Sequence, residues 1–221
     1  VSEKSAGYHK PKGADVVQAS VAVNDLTKAY RYRRLFSGLS FVVEHNTVFA
    51  VLGSNGAGKT TLLRIICDLV PPTSGRVEIT TDGRQFDAAE RRAILGLVSP
   101  DLELYGELTA LENLEFFAGV RGLAFSREKA RELLEYVGLK GRGHDFVFTY
   151  SSGMKQRLKY AYALYHEPRI LILDEPTSNL DSRGVALVEE VIRRQRERGI
   201  VIMATNEQRE VSYADRTLSL A

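Results

Sequence analysis

Gly53-Ser54-Asn55-Gly56-Ala57-Gly58-Lys59-Thr60-Thr61 is the stretch whose residue types and spacing point most directly to chemistry. Glycines at 53, 56 and 58 let backbone N–H groups turn inward around a polyphosphate, and a helix opening behind them adds the positive end of its dipole. Ser54, Asn55, Ala57 and Thr61 complete the cradle. Lys59 is spaced to reach the β- and γ-phosphates, and the Thr60 hydroxyl to ligate Mg²⁺. The apolar run before the cradle, 48–52, reads as a buried strand, and Leu62-Leu63-Arg64-Ile65-Ile66 behind it as a helix facing a core. Strand, loop and helix in that order are the setting of a phosphate-binding P-loop, so the expectation is nucleotide binding.

Two further stretches carry functional groups. Ile170-Leu171-Ile172-Leu173-Asp174-Glu175 is an apolar strand ending in two carboxylates. Asp174 suits a Mg²⁺ role, directly or one shell out, and Glu175, on the opposite side of the chain, suits polarising an attacking water. Tyr150-Ser151-Ser152-Gly153-Met154-Lys155-Gln156-Arg157 reads as a helix start, with serines to cap it and a glycine that lets a ligand approach. Taken alone, that segment is an ordinary helix cap.

These groups need elements to hold them. Residues 16–23, 39–43, 47–52, 76–80, 94–98, 170–173, 200–205 and 217–220 read as strands from their β-rich apolar runs, with a turn at 71–75. Short helical patterns cover 87–93 and 183–198. Between 101 and about 160 the pattern is helical: Thr109-Ala110-Leu111-Glu112 has the capping-box spacing for a helix to about 118. Ser126 caps a second that ends at Gly138, and Ser151 or Ser152 a third. Strands alternating with helices predict a mostly parallel sheet covered on both faces.

Composition narrows the class. The 221 residues hold 30 Lys and Arg against 28 Asp and Glu, too even a balance for a nucleic-acid footprint, so no nucleic-acid partner is expected. A lone cysteine, Cys67, rules out a disulfide framework. No apolar run reaches the roughly 18 residues that cross a bilayer, and the polar segment 1–13 reads as a flexible tail without the apolar centre of a signal peptide. Residues 14–221 read as one domain, cytoplasmic and reaching a membrane only through a partner.

The order of P-loop, helical insertion, serine-glycine helix start, Leu173-Asp174-Glu175-Pro176-Thr177 and Ser178-Asn179-Leu180-Asp181 resembles an ABC-type ATPase from about residue 18 onward. The resemblance implies an α/β P-loop NTPase with an N-terminal antiparallel β subdomain and a helical insertion at about 101–160. It also implies ATP and Mg²⁺ as cofactors, pairing with a second copy in an ATP-dependent dimer, and docking on an integral membrane transporter subunit at the inner face of the membrane. Tyr30 then stacks on adenine, with Tyr32 as its competitor. Ser152 and Gly153 meet the partner's γ-phosphate, and Asp181 lies at the dimer interface.

Three departures stand out. The signature reads Tyr-Ser-Ser-Gly-Met where Leu-Ser-Gly-Gly-Gln is commoner, a variant similar to those of exporter subunits. By spacing, Pro100 takes the place of a glutamine, and Asn206 that of a histidine that senses the γ-phosphate. Asn206 donates a hydrogen bond but carries no charge. An active but slow hydrolase is therefore expected, with Glu175 and Asn206 as its catalytic groups. Segments 34–41, 53–64 and 108–114 are similar to the ATP-binding subunit of the haem exporter of cytochrome c maturation. Another cargo (drug, lipid or polysaccharide) and a low-turnover ATP-gated regulatory module are the alternatives.

Overall fold

The computed structural model describes residues 18–220. Its strands in chain order are β1 (Ala19–Tyr30), β2 (Arg33–Glu44), β3 (Val48–Leu52), β4 (Ser74–Thr81), β5 (Arg84–Gln85), β6 (Leu95–Val98), β7 (Ile170–Asp174), β8 (Ile200–Thr205) and β9 (Arg216–Ser219). Strands β2-β1-β4-β5 form an antiparallel sheet, and β6-β7-β8-β3-β9 a second sheet in which every pairing is parallel. The α/β fold with a parallel sheet and a separate antiparallel β subdomain is as the sequence predicts.

The helices are α1 (Lys59–Ile66), α2 (Ala88–Ile94), α3 (Ala110–Val120), α4 (Arg127–Tyr136), α5 (Ser152–Leu164), α6 (Ser182–Arg196) and α7 (Gln208–Val211), with a 3₁₀ turn at Val147–Thr149. Alternate residues of the central strands feed two cores. Val48, Ala50, Leu171, Leu173, Val201 and Met203 pack with α3 to α6. Phe49, Val51, Ile170, Ile172, Ile200 and Ile202 pack with α1 and the antiparallel sheet. Because both faces are covered, these strands read as unbroken apolar runs instead of alternating ones.

Local signals account for most boundaries. Thr109 and Glu112 exchange both capping-box bonds at the start of α3, and Ser126 caps α4, whose chain turns off at Gly138 with φ 74°. Of the two candidate serines, Ser151 is the cap of α5, its hydroxyl accepting from the Met154 N–H at 3.2 Å.

Several expectations need correction. Of the strand predicted at 16–23, positions 16 and 17 lie outside the described residues, and the strand runs on to Tyr30. It passes polar Asn24 and Asp25 through an irregularity where Asp25 takes φ 46°. β2 likewise begins at Arg33, well before the predicted residue 39, because its outer residues pair with β1 without being buried. α6 starts and stops earlier than 183–198, capped by Asp181. β5 and α7 were not anticipated, being too short for any periodicity. The predicted flexible tail, 1–13, lies outside the described residues.

Candidate functional site

β3, β7 and β8 are neighbours in parallel register, Leu52 opposite Thr205 and Asp174 opposite Ala204, so their C-terminal ends open on one edge of the sheet. Ligands of open parallel sheets bind at that edge. The P-loop leaves β3 there. Gly53 has φ 151°, and a Cβ on it would stand 2.7 Å from the Leu220 carbonyl oxygen. Gly58, at φ 103°, caps α1, and a Cβ there would press within 3.3 Å of Leu35 and the Phe36 ring. Both glycines are thus required by close approach as well as by backbone conformation.

Ser54, Asn55 and Gly56 are exposed at the lip of the loop, and Thr60 and Thr61 are half-buried at the first turn of α1. Ala57 is buried against Gly53, so it offers only its backbone. Lys59 is buried and donates through Nζ to Gly53 O at 2.7 Å, to Ser54 O at 3.2 Å and to Asn206 Oδ1 at 2.6 Å. Asn206 in turn donates through Nδ2 to Asn55 Oδ1 at 2.6 Å. An ammonium has no acceptor, so the amide's oxygen must face Lys59 and its nitrogen Asn55. The structure therefore brings Asn206, at the end of β8, into direct contact with the P-loop.

Asp174 ends β7 and is 3% exposed. Burial is the main cause that raises its carboxyl above the usual aspartate range; a hydrogen bond from Thr60 opposes the rise, and the charge of Glu175 adds to it. Its Oδ1 is buried with no hydrogen-bond partner. An orphan carboxylate oxygen beside a threonine hydroxyl fits Mg²⁺, which takes hard oxygen ligands and keeps water and phosphate for the rest. No cluster of three or more histidine, cysteine or acidic groups that could hold a metal ion is found among the described residues. Glu175, next in the chain, is exposed and held at φ 49°, its N–H donating to Ala204 O at 2.9 Å. A non-glycine residue at positive φ is strained and persists where its surroundings hold it.

Tyr30 and Tyr32 part company in the structure. Tyr32 lies at the tip of the β1–β2 turn, fully exposed. Tyr30 is 49% exposed, and Lys28, itself buried and bonded to Pro71 O, sits 4.5 Å above its ring. Opposite Tyr30 in the hairpin is Arg33, which donates to Gly56 O at 3.0 Å and so ties the hairpin to the P-loop. Of the two rings, Tyr30 is the one fixed in place.

Ser152 and Gly153 begin α5 and make no hydrogen bond to the P-loop of their own chain among the described residues. A Cβ on Gly153 would stand 3.0 Å from Asn179 O, so the glycine admits the loop that follows β7. Asp181 spends its carboxylate on the N–H of Gly184 at 2.8 Å, capping α6, and stays exposed. Pro100 offers no side-chain ligand. Its loop is held instead by Lys159 of α5, which donates to Ser99 O at 3.1 Å and Pro100 O at 2.8 Å, and by an Arg64–Asp101 ion pair. Arg33, Lys159 and the buried Glu210 were not read as site residues. Their partners lie far off in sequence, so no local pattern exposes them.

The family profile described as "ABC transporter" matches residues 36–178. The linearmycin resistance ATP-binding protein LnrL of Bacillus subtilis (strain 168) is 36% identical over 82% of this chain, which spans 59% of its length. The ABC transporter ATP-binding protein YybJ of the same organism, described as uncharacterized, is 32% identical over 90% of this chain and 92% of its own. Among solved structures, the ATP-binding cassette MJ0796, a dimeric post-hydrolysis state bound to ADP and Pi, superposes with a TM-score of 0.80 at 26% identity, covering 90% of this chain and 94% of that one. None of these names is that of a haem exporter, and the segments similar to one are not distinctive of it. With the profile covering well over half of the chain and a relative matched along nearly its whole length, this chain belongs to the ABC transporter ATP-binding family.

Proposed function

We propose that the chain hydrolyses ATP to drive a membrane exporter, and that two copies close around the nucleotide. The observation that carries this reading is the meeting of Lys59, Asp174, Glu175 and Asn206 at one edge of the parallel sheet. ATP lies along the P-loop with its γ-phosphate toward that edge and its adenine on Tyr30. Thr60 and Asp174 hold Mg²⁺, which neutralises phosphate charge when bound. Lys59 exchanges its carbonyl and amide partners for phosphate oxygens. Glu175 orients the attacking water, and Asn206 donates to the γ-phosphate. Ser152 and Gly153 of each copy complete the other's site, which makes closure depend on the γ-phosphate and lets hydrolysis reopen the pair. Pro100 offers no side-chain ligand and Asn206 positions without an imidazole's charge, so turnover is slow. No helix among the described residues is long and apolar enough to cross a membrane. The drug-resistance name of a relative supports a drug-like cargo over haem.

Single-turnover hydrolysis tests the reading. The wild type should turn over, Lys59→Ala should lose ATP binding, Glu175→Gln should bind ATP but not cleave it, and Asn206→His should be faster by about tenfold. On size exclusion, Glu175→Gln should elute as a dimer only with ATP. A wild type that cleaves ATP no faster than Glu175→Gln points instead to a nucleotide-gated module.

A further inference from the structure

The loops that carry Glu175 and Asn206 are joined by a buried carboxylate. Glu210 lies in α7, four residues beyond Asn206, and is 2% exposed. Its Oε1 accepts from the Thr177 N–H at 3.0 Å and from the Thr177 hydroxyl, while Oε2 is buried without a partner. Its neighbour Arg209 is turned outward to Glu189 and Tyr213, and no ion pair among the described residues includes Glu210. On the other side of the same loop, the buried Tyr160 of α5 donates its hydroxyl to Pro176 O at 2.8 Å.

Pro176 and Thr177 directly follow Glu175, so this junction bears on the water-orienting carboxylate. Burying a polar group is costly unless its bonds are made, and Glu210 leaves half of its own unmade. What its position does achieve is a fixed distance between two loop ends. Glu175 stays at positive φ only while the flanking chain is held, and among the described residues Glu210 is the one side chain that holds Thr177 from the β8 side. We propose that Glu210 is a positioning residue for ATP hydrolysis: through Thr177 it keeps Glu175 and Asn206 facing one γ-phosphate, and the Tyr160–Pro176 bond ties that register to the helix beginning at Ser152. The proposal rests on the hydrolytic reading of Glu175.

The test sets Glu210→Gln, which keeps the acceptor oxygen, beside Glu210→Ala and Glu210→Leu, which remove it. Single-turnover hydrolysis, ATP affinity and amide exchange of 175–180 are measured on each, with thermal midpoints to choose a temperature at which all are folded. Misplacing a catalytic group by an ångström costs up to about a hundredfold, so Ala and Leu should slow hydrolysis at least about tenfold. Their ATP affinity should stay within about twofold, since the P-loop is untouched, and exchange should rise at 175–180 but not at 53–61. Gln should restore rate and protection. If Ala and Leu do not fold, Thr177→Val and Thr177→Ser repeat the contrast from the other end of the bond, Val slowing hydrolysis and Ser restoring it. Rates like the wild type in Ala or Val, or rate and affinity falling together, overturn the proposal. A wild type no faster than Glu175→Gln overturns the hydrolytic reading and the proposal with it.

Discussion

In the proposed mechanism Lys59 has to let go before it can hold a phosphate. Its bond to Asn206 Oδ1 joins an ammonium to a neutral acceptor at 2.6 Å, and charge-assisted bonds of this kind are among the stronger ones. Asn206→Ala should therefore bind ADP about fivefold tighter by calorimetry, at roughly 1 kcal/mol for the released bond. ADP has no γ-phosphate for Asn206 to contact, so it isolates this effect. Asn206→Asp should bind ADP more weakly, because the new charge grips the lysine harder. Unchanged ADP affinity in both variants would mean that Lys59 is not restrained by residue 206. The expectation that Asn206 serves the nucleotide came from its place in the family's order, after an apolar strand. Its bond to Lys59 was not legible there, since 147 residues separate the two and only the sheet register brings them together.

His166 offers a second residue-scale prediction, remote from the nucleotide. Its ring hydrogen-bonds Leu95 O at 3.0 Å, and burial together with the nearby Arg121 charge pulls its pKa down from 6.5 to about 4. The folded chain thus keeps this ring neutral while the unfolded chain protonates it. Its contribution to stability is complete above pH 6.5 and is lost as the pH falls toward 4, amounting to roughly 3 kcal/mol at most across that gap. Urea midpoints at pH 7 and pH 4.5 should differ less in His166→Gln than in the wild type.

At the scale of elements, caps were the most readable feature. Thr109, Ser126 and the serine pair before α5 stand at helix starts because their short side chains accept orphan N–H groups, and that requirement is local. Thr109→Ala should cost about 1 kcal/mol in thermal or urea unfolding, without affecting nucleotide affinity. Strand extents were less readable, because β1 runs on past the polar pair Asn24 and Asp25, where its pairing with β2 is interrupted, and β2 opens on the exposed Arg33 and Arg34, which pair with β1 without being buried. Gly153 illustrates a constraint between elements. With Asn179 O only 3.0 Å from where its Cβ would stand, Gly153→Ala should displace the 175–180 loop and slow hydrolysis while ATP binding at the P-loop persists. Hydrolysis at the wild-type rate in Gly153→Ala would show that the loop has room to give.

Across the whole molecule, one sheet separates two cores with different duties. Leu62 lies in the core beneath the P-loop, Leu114 in the core of the helical side, and both are fully or almost fully buried. Either truncation to alanine should cost about 2–5 kcal/mol in urea unfolding. Leu62→Ala should weaken nucleotide binding as well, whereas Leu114→Ala should leave it intact. The unbroken apolar strands announced burial on both faces from sequence. Which residues faced which core emerged only from the alternation of the folded strands, since periodicity is silent when every position is apolar.

The contact between Gly53 and Leu220 has a mechanical meaning. Leu220, the residue just after β9, donates its N–H to Leu52 O at 2.8 Å and sets its own carbonyl 2.7 Å from where a Cβ on Gly53 would stand, so the end of β9, an edge strand of the parallel sheet, abuts the proposed phosphate cradle. Peeling that strand away and emptying the cradle are then one event seen from two ends. By mass action a nucleotide that grips the loop also staples down β9. Proteases that cut near 212–215 should therefore work more slowly in the presence of ATP, and a chain ending before Arg216 should hold nucleotide less tightly.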